Sequence, residues 1–359
     1  MGEYQQYRIL VINPGATSTK FAVYDGEKQR FKKTVEHSAQ ELKNFNRVFD
    51  QYQYRLTMII EALRKEDIEL TTFKAVAGRG GLLKPLAGGT YLVNEQMVAD
   101  LKKAERGEHA SNLGAVIAYD LGQQLGIPAF IVDPVSVDEM EPVARISGLP
   151  DLERTSLSHA LNMKAVARKV AKEMGKKYEE VNFVVAHLGT GVSVAPHRQG
   201  RMIDVNNAKE EGPFSPDRCG GLPASQLVKL CYSGKYTYEE MREKLTSKGG
   251  LYAYLGTTDL REVEKMADQG HELANLLLDA LAYQVAKEIG AMSAVLEGDV
   301  DRIIITGGIA HSTRIVNDIM RRVKFIAPVV VVPGEEELES LALGALRVLR
   351  GEEEAKEYV

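Results

Sequence analysis

An α/β protein of two similar domains is what this sequence predicts, and three observations carry the prediction. The chain has 359 residues, too many for one small core and suited to about two domains. Strand-like apolar runs and helical periods alternate almost from end to end. A pattern of strand, glycine turn, strand, strand and then helices occurs twice, around Val11–Tyr24 and around Val184–Ala195. Little residue identity joins the two halves, so the repeat is one of pattern. The expected division is 1–150 and 151–337, with a terminal helix over 338–359 packing back on the first domain.

In chain order, Arg8–Asn13, Phe21–Tyr24 and Arg30–Glu36 read as three consecutive strands joined by short turns. A helical period covers Phe45–Lys65, followed by the short strand Lys74–Ala77 and the glycine-rich turn Gly78–Gly81. Helices over Glu95–Glu105 and Leu113–Leu125 precede Ala129–Asp133, a buried strand ending in a carboxylate. The second half restarts with helix Ser158–Met174, strand Phe183–His187, the turn Gly189–Gly191, and strands Val192–Ala195 and Met202–Val205. Helices then begin at Pro223, Tyr238, Asp259 and Glu272. Strand Arg302–Thr306, turn Gly307–Gly308, helix His311–Val323, strand Val329–Val332 and a helix from about Glu336 complete the pattern.

Composition narrows the function. Apolar content of 44% and charged content of 26% belong to an ordinary globular protein. A net charge of -5 offers no basic field, so no nucleic-acid partner is expected. Two cysteines, Cys219 and Cys231, form no CxxC pair, which argues against a disulfide scaffold or zinc site and fits a reducing cytoplasm. The start MGEYQQYR is polar, unlike a secretion signal, and Gln6 breaks the myristoylation pattern. The apolar segment Leu273–Leu296 is interrupted by Asn275, Asp279, Gln284, Lys287 and Glu288, so it reads as a buried helix and not a membrane span. It is apolar around more of its circumference than one core face requires, so part of it is expected to pack on a partner subunit.

The stretch VINPGATSTK has the chemistry of a phosphate loop but not the layout of a P-loop. GATSTK lacks the second glycine of GxxxxGK[ST] and enters a strand. What remains is a hairpin whose turn offers backbone N–H groups at Gly15 and the hydroxyls of Thr17, Ser18 and Thr19, with Lys20 beside them. Alone, it reads equally as a plain hairpin. Paired with Gly189-Thr190-Gly191 in HLGTGVS, it favours two turns gripping the phosphates of a nucleotide. Gly307-Gly308-Ile309 sits between the strand IIIT and a helix and suits a flat ligand such as adenosine, although a strand-to-helix turn looks the same.

Arg79 in AGRGG and Arg218 in PDRCGG place guanidinium groups at glycine-rich turns, where they suit a multi-oxygen anion. Singly, each is also what a surface arginine looks like. Asp133 ends a buried strand and Glu336 lies just past another, both typical magnesium positions. Glu335, Glu336 and Glu337 equally suit the N-terminus of the following helix. His159 opens a helix after SLS and His187 ends a strand before the GTG turn.

The paired turns resemble the phosphate grip of the actin, Hsp70 and sugar-kinase superfamily. In order along the chain, VINPGATSTK, AGRGG, IVDP, SLSHALN, HLGTGVS, DRCGG, ITGGIA and VPGEEEL resemble the acetate and butyrate kinase family. The family's first signature, N-x-G-S-S-S-x-K, keeps Asn13, Gly15, Ser18 and Lys20 here but has Ala16 and Thr17. That variation, with GRGGLLKPLAGGTYLVN, HASNLGA and SGLPDLERTSLSHALN, is similar to the butyrate-kinase branch. The resemblance implies two duplicated actin-like ATPase (ribonuclease H-like) domains with a nucleotide cleft between them, in a homodimer or higher homo-oligomer. It implies reversible, magnesium-dependent phosphoryl transfer between ATP and a short-chain carboxylate, giving an acyl phosphate and ADP.

Carried over by position, Arg79 and Arg218 match the catalytic arginines, and Asp133 the catalytic aspartate that acts with magnesium. Asn13 and Glu336 match further Mg2+ positions, with the EEE run leaving the glutamate open by one. His159 and His187 match histidines near the transferred phosphoryl group, and one extra residue separates Arg154 from His159. Gly307, Gly308 and Ile309 match the adenosine loop. Where acetate kinases place a valine after the first arginine and a phenylalanine before the histidine, this chain has Gly81 and Ser158, expected to free volume for a longer acyl tail. The competing readings are an acetate or propionate kinase, an actin-like or Hsp70-like ATPase, and a sugar kinase using Asp133 as base.

Overall fold

A computed structural model describes residues 7–359, so the first six residues, MGEYQQ, on which the reading of the polar start rests, lie outside the described residues. The chain forms two compact units: the described residues up to Val137 together with Glu336–Val359, and Asp138–Glu335.

The first unit is built on a six-stranded sheet in the order β3-β2-β1-β4-β6-β5. Its strands are β1 Arg8–Pro14, β2 Ser18–Asp25, β3 Lys28–Glu36, β4 Ala75–Gly78, β5 Thr90–Leu92 and β6 Ala129–Val132. β1, β2 and β3 form an antiparallel meander, whereas β1, β4 and β6 run parallel. Ile9–Ile12 and Ala75–Ala77 are fully buried because helices Asn112–Leu125 and Glu337–Leu349 both lie on β1, β4 and β6. Continuous apolar runs are what a strand covered on both faces requires. β3, KQRFKKTVE, alternates partly covered and exposed residues, and its lysines guard a sheet edge.

The second unit repeats this plan. β7 Asn182–Leu188, β8 Val192–Arg198 and β9 Arg201–Met202 form the meander, and β10 Arg302–Gly307 and β11 Val329–Pro333 join β7 in parallel. The order β9-β8-β7-β10-β11 matches β3-β2-β1-β4-β6 strand for strand. Helix Glu272–Val295 packs on β7 and β8 and buries Leu278, Leu281, Val285 and Ile289 in the core of this unit. Leu273, Leu276 and Tyr283 remain exposed, a narrower apolar surplus than its sequence suggests. Among the described residues no helix is long and apolar enough to cross a membrane.

Several elements differ from expectation. The strand foreseen over Met202–Val205 stops at Met202. Beyond it, the Asn206 side chain accepts from Val194 N–H at 2.6 Å and donates to the Val192 carbonyl at 2.9 Å, doing what a strand backbone would do. The helix foreseen from Phe45 begins at Tyr52, after a tight turn over Phe49–Gln51. β5 and the short helix Gly250–Leu255 were not foreseen, being too brief to show a period.

Candidate active site

Parallel register places the first cluster. Ile12 aligns with Gly78, and Gly78 with Ile131, so Asn13, Arg79 and Asp133 stand at the C-terminal ends of three neighbouring strands. That edge is where open α/β sheets hold ligands. Arg79 is buried; its N–H donates to the Ile12 carbonyl at 2.9 Å and its guanidinium pairs with Glu337. Asn13 Nδ2 donates to the other oxygen of Glu337 at 2.5 Å.

The three consecutive glutamates therefore go three ways. Glu337 meets Asn13 and Arg79, whereas Glu336, the residue named from sequence, caps the following helix and its carbonyl accepts from Ser340 N–H at 2.8 Å. Burial first, then the carboxylates of Glu339 and Glu336, push the nearby Tyr24 hydroxyl up to about 12. Glu335 belongs to the second unit. Asp133 is fully buried at φ 36°, and its Oδ1 accepts the Gly89 N–H at 2.7 Å.

In the opening turn, Gly15 N–H donates to the Ser18 carbonyl at 2.7 Å, leaving Ala16 and Thr17 exposed at the tip. Lys20 pairs across the hairpin with Asn13 and is exposed. Directly paired residues share one face of a sheet, so Lys20 stands on the Asn13 side.

In the second unit, the GTG turn gathers the remaining groups. His187 is buried at the end of β7, with Nδ1 2.8 Å from Asn162 Oδ1. Its Nε2 lies 3.1 Å from Glu335 Oε1, a close electrostatic approach without hydrogen-bond alignment. His159 stacks on it with ring centroids 3.9 Å apart at 11°, and its Nδ1 is 2.9 Å from Ser193 Oγ. A Cβ on Gly189 would come within 3.1 Å of both His187 and Glu335. One on Gly191 would sit 2.3 Å from Arg218 Nη1 and 3.2 Å from His159 Cε1. The glycines are there because four functional side chains converge on the turn.

Arg218 donates from Nη1 to the Ala208 carbonyl at 2.9 Å. Its backbone N–H bonds Ser215 Oγ at 3.1 Å, and that hydroxyl in turn binds the Thr190 carbonyl. Burial pushes the adjacent Asp217 carboxyl up, with Arg218 opposing the shift.

Gly307 has φ 90° and would place a Cβ 2.4 Å from the Leu188 carbonyl oxygen, so only glycine fits there. Around Gly308 nothing among the described residues lies within 4 Å of an added Cβ. Ile309 is buried in the core of the second unit, and its carbonyl accepts the Ser312 N–H at 2.9 Å.

The expected free volume at Gly81 is absent. A Cβ there would lie 2.2 Å from Asn112 Oδ1, which accepts the Leu82 N–H at 2.9 Å. Asn112 fills the space that the missing side chain leaves. Ser158 is buried and its hydroxyl has no partner among the described residues. Sequence reasoning left Glu337 open as one of three glutamates and missed Asn162 and Arg55. Asn162 stands three residues after His159 on one helix, a spacing that puts both near one face.

Among the described residues no three His, Cys, Asp or Glu side chains gather as a metal cluster. Magnesium needs no such cage, because it keeps waters and is held by one or two carboxylates plus substrate phosphates. The hard oxygens of Asn13, Asp133 and Glu337 suit it.

A model of the acetokinase family matches residues 154–332. Butyrate kinase 1 of Clostridium acetobutylicum is 55% identical over 353 residues, which span 98% of this chain and 99% of that protein. Among solved structures, Porphyromonas gingivalis acetate kinase matches with a TM-score of 0.78 at 19% identity, covering 96% of this chain and 100% of that one. A propionate kinase from Francisella tularensis subsp. tularensis matches with a TM-score of 0.74 at 19% identity, covering 94% and 98%. At such identity the solved structures speak to fold alone, and the fold is the duplicated actin-like one.

Proposed function

The chain belongs to the acetokinase family, and from that premise we propose that it phosphorylates a short-chain carboxylate of the butyrate type at the expense of ATP. The reaction is reversible and gives an acyl phosphate and ADP. The observation that carries it is the convergence of Arg218, His159 and His187 on the Gly189–Gly191 turn. The choice of acid is supported by the likeness to Butyrate kinase 1 over nearly the whole of both chains.

A phosphoryl group in transfer spreads negative charge over three equatorial oxygens, so positioning and neutralisation do most of the work. Arg218 donates from Nη1 to the Ala208 carbonyl and from its backbone N–H to Ser215 Oγ, and its Nε lies 3.8 Å from Asp217 Oδ1, which together hold the guanidinium against the Gly189–Gly191 turn. With Asn162 Oδ1 as acceptor, His187 carries its proton on Nδ1; protonation of Nε2 would make it a second donor. Arg79, oriented by Glu337, supplies a guanidinium in the first unit. As the phosphorus–oxygen bond to ADP breaks, a carboxylate oxygen takes the phosphorus, and no proton has to move. A general base is unnecessary, so Asp133, already accepting the Gly89 N–H, suits a metal partner better than a proton acceptor. Magnesium, held by Asn13, Asp133 and Glu337, would draw charge from the phosphate oxygens when bound.

Two free cysteines fit a cytoplasmic setting. A homodimer or higher homo-oligomer is supported by apolar side chains left exposed in the second unit, Leu276, Tyr283, Val228 and Tyr232 among them.

A coupled ADP-release assay with ATP, magnesium and a panel of acids, sugars and no acceptor tests the reading. Butyrate should exceed acetate by at least roughly tenfold in kcat/KM, since each methylene is worth ~1–3 kcal/mol of discrimination. Equal values would favour an acetate or propionate kinase. Turnover without acceptor would favour an actin-like or Hsp70-like ATPase, and turnover with sugars a sugar kinase.

A further inference from the structure

Arg55 is among the largest fully buried side chains of the protein and sits in helix Tyr52–Arg64 beneath the tip of the β1–β2 hairpin. Its Nη1 donates to the carbonyls of Gly15 at 2.9 Å and Ser18 at 3.1 Å, and to Thr19 Oγ1 at 3.0 Å. Its Nη2 donates to the Ala16 carbonyl at 3.3 Å, and both Nη2 and Nε bond Gln51 Oε1, at 2.9 and 3.2 Å. Every acceptor is neutral, and none of the ion pairs among the described residues involves Arg55. A guanidinium stays charged at any ordinary pH. A full positive charge is therefore buried under the turn without a carboxylate.

The direction of the carbonyls decides the rest. In a trans peptide, C=O and N–H point opposite ways. Because the Gly15 and Ala16 carbonyls turn inward to Arg55, the N–H groups of Ala16 and Thr17 turn outward. Both residues are exposed, and neither N–H has a protein partner among the described residues. We propose that Arg55 is a positioning residue that holds the Pro14–Ser18 turn as an anion nest, aiming two free N–H groups and one uncompensated positive charge at a phosphate. This rests on the phosphate-binding reading of that turn. Burying an unpaired charge is costly, and a bound anion on the far side of the peptides would offset that cost.

Thr19 extends the arrangement. Its Oγ1 accepts from Arg55 and also bonds His37 Nε2 at 2.8 Å, and His37 Nδ1 meets the Tyr54 hydroxyl at 3.2 Å.

The test compares Arg55→Lys and Arg55→Met with the parent enzyme, reading kcat and KM for ATP and, in reverse, for butyryl phosphate. Alongside, thermal stabilisation by inorganic pyrophosphate is measured. Losing charge-assisted hydrogen bonds should raise the KM for the phosphate-bearing substrates about 10- to 100-fold in Arg55→Met, with a smaller rise in Arg55→Lys. Pyrophosphate should stabilise the parent and not Arg55→Met. A merely structural role would lower the melting temperature while leaving KM and the pyrophosphate shift of the folded protein unchanged, and that result overturns the proposal. If Arg55→Met does not fold, Gln51→Met removes only the acceptor for Nε and Nη2, and an unchanged KM there is equally fatal. A parent that turns over no acid at all would defeat the functional reading instead, and the pyrophosphate comparison would still decide the nest.

Discussion

Substituting Gly191 by alanine isolates the position of Arg218 from its presence. The added Cβ would lie 2.3 Å from Arg218 Nη1 and 3.0 Å from its Cζ, whereas ordinary contact begins near 3.4 Å. The guanidinium must retreat by about 1 Å, and a misplacement of that size costs on the order of 10²-fold in rate when geometry governs catalysis. That is about 2.7 kcal/mol of activation free energy. Retreat also weakens the bond to the Ala208 carbonyl, worth about 1.5–3 kcal/mol as a charge-assisted contact, so some stability falls too. Arg218→Ala should lower kcat more, on the order of 10³-fold. The double variant separates the effects: once Arg218 is gone, Gly191→Ala has nothing left to displace and should cost little further. The assay is ADP release under saturating butyrate and ATP, with circular dichroism to establish folding. A well-folded Gly191→Ala enzyme with kcat within threefold of the parent would refute the reasoning, as would full additivity in the double variant.

Three further outcomes follow from particular contacts. Gly81→Val would drive a side chain into Asn112, so activity toward acetate and butyrate should fall together and stability should drop by about 1–3 kcal/mol in urea titration; a selective shift toward acetate would restore the open-pocket view. Glu337→Gln should lower kcat/KM at least about tenfold by releasing Arg79 and Asn13, while Glu336→Gln stays near the parent; the reverse order would return Glu336 to the site. Burial, then the Arg55 charge, hold His37 down at about 4 against an ordinary value of 6.5. The unfolded chain therefore takes up a proton first, so its contribution to stability is complete above pH 6.5 and is lost toward pH 4. Urea midpoints of the parent and His37→Gln, compared across that window, should converge as pH falls; a constant difference would contradict this.

Much of the architecture was legible because the strands announce themselves. Ile9–Ile12 and Ile303–Ile305 are apolar runs too short for helices and flanked by turn residues, and both lie fully buried in parallel strands. The clustering of His159, His187 and Arg218 was not legible from spacing, since these residues meet only through the fold. Arg55 left a signal that was passed over. It falls on the stripe of Arg55, Ile59 and Ala62, where helical periodicity calls for an apolar residue. Glu336 and Glu337 are chemically identical, and about 100° of helical rotation separates their directions, so residue type alone had no means of choosing. At Gly81 a missing side chain was visible, but not the Asn112 that occupies its place.

The two units differ in how the ribosome delivers them. Asp138–Glu335 is one uninterrupted stretch, so its sheet and covering helices are complete as soon as that stretch emerges. The first unit is made earlier but finished last. Its parallel strands β1, β4 and β6 wait for helix Glu337–Leu349, and Leu341, Ala345 and Tyr358 are buried only once the tail arrives. During that interval one apolar sheet face stays open to water, a situation that favours association between nascent chains. Chains cut short within Glu336–Val359 should therefore be caught by chaperones with the first unit unfinished and the second already native, as limited proteolysis of stalled chains would reveal.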